Sequence, residues 1–124
     1  MRYFFDGNEA NLKLATETVL ELAEQWSRFV DEAERQFLVH ARYLADPKTG
    51  LWYHGWTFAG RHNFAGALWG RGNAWITVGI LELIELCDLS PSVEAYLLGV
   101  LQTQIEALLR FQTPSGAWTT LVDD

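Results

Sequence analysis

The 124-residue chain has one cysteine, Cys87, so it closes no disulfide within itself. Its three prolines, at 47, 91 and 114, fall at the ends of helical patterns. No apolar run approaches the roughly 20 residues that a membrane-spanning helix needs. The opening run Met1–Asp6 is too short in apolar residues for a signal peptide, and Asp6 interrupts it. A cytoplasmic protein is the expectation. Positive charge is scarce, with nine Lys and Arg against sixteen Asp and Glu, a formal net charge of −7. Nucleic-acid surfaces need a basic face to displace counterions, which argues against that class. Three scattered histidines and one cysteine have no metal-ligand spacing. The glycine patterns of phosphate and dinucleotide loops are missing as well.

The most telling absence is local. From Leu51 to Leu81 there is no Asp and no Glu. The same stretch holds Trp52, Trp56, Trp69 and Trp75, four of the six tryptophans. It also holds His54, His62, Arg61, Arg71 and six of the ten glycines. Aromatic faces pack on the C–H surfaces of sugar rings. Guanidinium groups bind carboxylates through two parallel bonds. This composition points to a pocket for an anionic carbohydrate, held locally against an unfavourable global field.

Four helical segments follow from the apolar period. The first places Leu12, Ala15, Val19, Leu22, Ala23 and Trp26 on one face. A break is expected near Ser27 to Val30. The second segment then starts near Asp31, with Glu34 as a capping partner, and carries Ala33, Phe37, Ala41 and Leu44. Pro47 and Gly50 stop it. The third, Asn73 to Cys87, is apolar nearly all round, so it calls for helical neighbours on most sides. The fourth opens with Ser90 as cap and Pro91 at the first helical position, and ends before Pro114 and Gly116. Between Leu51 and Gly70 there is room for a short hairpin, but no sheet. Gly50 and Trp52 are echoed by Gly116 and Trp118, which points to repeated helical hairpins with loops on one rim.

Asp31-Glu32-Ala33-Glu34-Arg35-Gln36-Phe37, then His40-Ala41-Arg42-Tyr43-Leu44 and Asp46-Pro47-Lys48-Thr49-Gly50-Leu51-Trp52-Tyr53-His54-Gly55-Trp56, resembles the unsaturated rhamnogalacturonyl hydrolases. These are the family 105 glycoside hydrolases, kin of the family 88 unsaturated glucuronyl hydrolases. Trp69-Gly70-Arg71-Gly72-Asn73-Ala74-Trp75 looks like the family's W-x-R-G-N-x-W segment, and Leu108 to Trp118 continues the match. The resemblance covers most of the chain, from about Asp31 to Asp124. It implies an all-α fold, a helical-hairpin segment of an (α/α)6 barrel, incomplete at this length. Residues 1–124 then read as a single partial glycoside hydrolase domain.

The implied activity is release of Δ4,5-unsaturated galacturonyl residues from pectin- or rhamnogalacturonan-derived oligosaccharides, by hydration of the C4=C5 bond. No metal or organic cofactor is implied. The implied substrate-binding residues are His54, Trp56, Trp69, Arg71 and Trp75, with Arg71 on the uronate carboxylate and Trp69 and Trp75 flanking the ring. For Trp75 a core position is an equal reading. The family's acid lies in an Asp-x-Leu-Phe-Met segment that this chain lacks. Asp6 is the only Asp near the expected offset, and an ordinary loop or cap residue is the competing reading. Two alternatives stay open: a non-catalytic uronate-binding remnant, and a helical module that docks on a partner. Self-association through the apolar third helix is a further expectation.

Overall fold

The structure, a computed structural model, describes residues 9–124. Asp6 therefore lies outside the described residues. The chain divides into two compact units, 1–33 and 34–124. Three helices carry the described residues: α1, Glu9–Leu44; α2, Gly70–Leu86; and α3, Pro91–Arg110. No strand forms among them; three isolated antiparallel bridges stand where short extended segments meet.

Helix α1 is continuous where two segments were expected. The stretch Ser27 to Val30 contains no glycine or proline, and nothing else there stops a helix. The Ser27 hydroxyl lies 3.4 Å from the Glu24 carbonyl oxygen, bonding back along the helix rather than capping a new one. Asp31 and Glu34 fall inside α1, where preceding carbonyls already occupy the N–H groups that a cap would satisfy. Within the first unit, Leu12, Val19, Leu22 and Trp26 are exposed. Lys13 and Glu17 form an exposed pair at 3.8 Å.

In the second unit, α2 and α3 form a helical hairpin joined by 87–90. Ser90 accepts from the Val93 N–H at 3.4 Å and Pro91 opens the helix, as its sequence indicates. Ile80 and Leu83 of α2, and Leu97 and Leu101 of α3, are buried. Phe37 of α1 reaches α2 at Gly79, where an added Cβ would lie 3.1 Å from the ring. One face of α2 stays uncovered: Trp75 is 70% exposed, and Val78, Leu81 and Leu86 are exposed too. A second cluster of Leu51, Leu68, Ala107 and Val122 lies beneath the loops. It ties both ends of the 51–68 loop to the end of α3 and to the C-terminal segment.

The echoed turns are alike in backbone. Gly50 and Gly116 both have φ of 81°. The Asp46 carboxylate accepts from the Thr49 N–H at 3.1 Å and the Thr49 hydroxyl at 2.7 Å. In the second turn the Thr113 side chain takes that role, bonding the Ala117 carbonyl at 2.9 Å and accepting from the Ala117 N–H at 3.2 Å. The two tryptophans part company: Trp52 is 2% exposed and Trp118 44%.

The space for a hairpin between Leu51 and Gly70 is filled by an irregular loop. One bridge, Thr57 to His62, closes a tight turn with Arg61 at φ 52°. Its clustered glycines favour close side-chain contacts over a ladder. At Gly55 the Phe64 ring sits where a side chain would be.

Candidate functional site

The segment Trp69 to Asn73 builds the site residue by residue. Gly70 sits against the C-terminal segment, where an added Cβ would lie 3.1 Å from the Thr119 carbonyl oxygen. Its N–H donates to Thr120 at 2.9 Å, and the Val122 N–H returns to Leu68 at 2.9 Å. Gly72 leaves room for the Trp69 indole, 3.1 Å from where its Cβ would be. The Arg71 guanidinium then lies over that indole, 4.5 Å from the ring centroid. The His54 ring meets Trp69 edge-on, with centroids 5.2 Å apart.

Asn73 is fully buried and acts as a clasp. Its side-chain oxygen accepts from the Trp52 N–H at 2.8 Å, and its amide donates back to the Trp52 carbonyl at 3.0 Å. The same amide reaches the Trp69 carbonyl at 3.1 Å. Gln104, also fully buried, donates to the Asn73 carbonyl at 3.0 Å and to its side-chain oxygen at 3.1 Å. The Thr77 hydroxyl sits 3.2 Å from the Gln104 side-chain oxygen. One side chain thus fixes the start of the aromatic loop at Trp52 and its end at Trp69.

These elements border an open cavity of about 690 Å³. Trp69, Arg71, Thr77, Leu108, Trp118 and Thr120 are among its lining residues, and no Asp or Glu is. No carboxylate pairs with Arg71 among the described residues. The Trp118 indole N–H donates to the Leu108 carbonyl at 2.7 Å, which fixes the ring beside α3. The described residues contain no group of three His, Cys, Asp or Glu placed to hold a metal.

Of the residues singled out from the sequence, Trp69 and Arg71 line the cavity, and His54 touches Trp69. Trp56 instead packs on Tyr43, with ring centroids 5.3 Å apart. Tyr43 also meets Phe58 at 5.0 Å, so Trp56 belongs to a separate aromatic cluster at the end of α1. Trp75 does not line the cavity and is highly exposed on α2. Sequence reasoning missed Trp118 as a lining residue and Asn73 and Gln104 as the clasp. The 66-residue echo of Trp52 marked Trp118, but nothing local brought it beside Arg71.

The family model for Glycosyl Hydrolase Family 88 matches residues 15–124. The chain belongs to glycosyl hydrolase family 88. Among curated proteins, the unsaturated rhamnogalacturonyl hydrolase YesR of Bacillus subtilis (strain 168) is 33% identical over 96 residues. That match covers 77% of this chain and 28% of YesR. Crystal structures described as possible members of glycoside hydrolase family 105 match with TM-scores of 0.75. The one from Salmonella enterica serovar Paratyphi A is 50% identical, and the one from Klebsiella pneumoniae 52%. Each match covers 78% of this chain and 26% of the other. A family 105 glycoside hydrolase from C. acetobutylicum is 25% identical with a TM-score of 0.70, covering 78% of this chain and 29% of that one. The chain thus spans about a quarter of the length of the relatives it matches. Its fold class within family 88 is all-α, a helical segment of an (α/α)6 barrel.

Proposed function

We propose that this chain carries the uronate-binding cavity of a hydrolase that releases Δ4,5-unsaturated galacturonyl residues from pectin- or rhamnogalacturonan-derived oligosaccharides. One observation carries the reading above the rest. Arg71 lies in an aromatic-walled cavity without acids, and no carboxylate of the described residues holds its guanidinium. A sugar carboxylate fits that gap, through two parallel N–H···O bonds. Membership of family 88 and the likeness to the rhamnogalacturonyl hydrolase YesR support the substrate class. In this reading Trp69 holds the guanidinium in place, and His54, edge-on to Trp69, would bond a neighbouring sugar oxygen.

The chemistry is hydration of an alkene. A proton adds to C4 and a water oxygen to C5. The hemiketal so formed opens by breaking its C5–O5 bond, and the hemiacetal this leaves at C1 collapses to an aldehyde and releases the aglycone as an alcohol. An acid must supply the proton, and Asp6 is the residue we assign to that step. The acid-free lining favours a second reading of the chain on its own, a uronate-binding unit without turnover.

Two measurements on the full chain with an unsaturated galacturonyl disaccharide test both. Calorimetry reads binding, and loss of the ultraviolet band of the double bond reads hydration. Arg71→Ala should weaken binding about 10- to 100-fold, as expected for losing a charge-assisted pair. Arg71→Lys keeps the charge but not the fork, so its loss should be intermediate. Unchanged affinity in Arg71→Ala overturns the uronate reading. Binding without loss of absorbance favours the unit without turnover.

A further inference from the structure

Trp118 has an arrangement that a core tryptophan does not need. Its twin in the repeated turn, Trp52, is buried, while Trp118 stays 44% exposed on the cavity wall. Its only polar group is already spent on the Leu108 carbonyl at 2.7 Å. What remains available is the flat face of the ring. That face is held firmly. The turn before it is closed by the Thr113 N–H to the Ala117 carbonyl at 2.9 Å and the Gly116 N–H to the Thr113 carbonyl at 2.9 Å. The Gln112 side chain adds a bond to the Gly116 carbonyl at 2.9 Å. A large exposed ring, fixed in place with its N–H satisfied, is a stacking surface.

The cavity also has room to spare. Its 690 Å³, open to solvent on one side, lies inside the range of about 300–1,000 Å³ of small-molecule sites. Arg71 and Trp69 sit on α2 and its cap, whereas Trp118 and Thr120 belong to the C-terminal segment. The two walls are separate in sequence and are brought together by the pairing of 68–70 with 120–122 and the packing of Leu68 on Val122. A site with its anion anchor on one wall and an uncharged aromatic face on the other suits a two-ring ligand.

We propose that Trp118 is the platform for the second sugar ring, the one next to the uronyl unit, packing on its C–H face and setting how strongly an oligosaccharide is preferred over the uronyl monosaccharide. This rests on the uronate reading of Arg71. The test compares, by calorimetry on the full chain, the unsaturated galacturonyl monosaccharide with an unsaturated disaccharide. The chain should bind the disaccharide more tightly. Trp118→Ala should lower the ratio of disaccharide to monosaccharide affinity about tenfold. Trp118→Phe keeps a ring without the bond to Leu108, and should retain most of the ratio. No disaccharide preference in the parent chain overturns the proposal. So does an unchanged ratio in Trp118→Ala, or an equal loss for both ligands, which marks a structural prop. Arg71→Ala separates the two ideas. If it leaves both affinities intact, the uronate reading fails, while the Trp118 ratio still decides the platform.

Discussion

Two glycines with the same φ carry different loads. Gly50 and Gly116 share φ of 81°, a conformation that costs an L-residue roughly 1–2 kcal/mol. At Gly50 an added Cβ would also meet the Thr103 carbonyl oxygen at 3.0 Å and the Ala107 methyl at 3.2 Å. At Gly116 nothing lies within 4 Å. Gly116→Ala therefore bears the backbone term alone, and Gly50→Ala bears it plus a clash with helix α3 that backbone atoms cannot easily relieve. Gly50→Ala should be the more destabilising by about 1 kcal/mol or more, read as a larger drop in urea midpoint. Equal drops would mean that α3 shifts freely away from the turn. The same residue scale explains why Trp-Gly-Arg-Gly-Asn is spelled as it is. One glycine admits the C-terminal segment, the other admits the indole, and the arginine between them is laid across that indole.

At the scale of elements, Asn73 decides how the loop meets the helices. Asn73→Ala would strip partners from the Trp52 N–H and carbonyl at once, and leave the Gln104 amide short of an acceptor. All of these are buried, so the loss should exceed about 2 kcal/mol. Amide hydrogen exchange should report it at Trp52 first, with α3 between Leu97 and Leu101 little affected. Uniform loss of protection across both would show that Asn73 supports the whole unit, not the loop junction. The helices themselves were largely legible in the sequence, because their signals are local. Ser90 and Pro91 mark the start of α3, and Pro47 and Gly50 follow the end of α1. The break expected near Ser27 failed for the same reason in reverse: a helix continues until something stops it, and no residue there does. Apart from His54, which reaches Trp69 across the loop, site residues were legible where sequence neighbours are neighbours in space. Trp69 and Arg71 qualify; Trp118 is brought to them by pairing of the C-terminal segment, and Trp56 is drawn away by Tyr43, and neither effect has a local signature.

At the scale of the whole molecule, the uncovered face of α2 sets the behaviour of the chain in solution. Trp75, Val78, Leu81 and Leu86 stand exposed on a helix whose only acidic residues are Glu82 and Glu85. In an (α/α)6 barrel a helix of this kind has helical neighbours, and this chain spans about a quarter of such relatives. Exposed apolar patches of this kind tend to find another surface, and a second copy is always at hand. The net charge of −7 opposes that contact. The two effects respond oppositely to salt. Ions screen the repulsion over a Debye length of about 10 Å at 0.1 M and leave the apolar attraction in place. Sedimentation of the full chain should therefore show association that rises with concentration and strengthens with added salt. Leu81→Lys should weaken it, because a charge at the contact would have to be desolvated without a partner. A chain that stays monomeric across the series would show that the face is tolerated in water. Association that weakens with salt would show that charged groups, not this helix, hold the copies together.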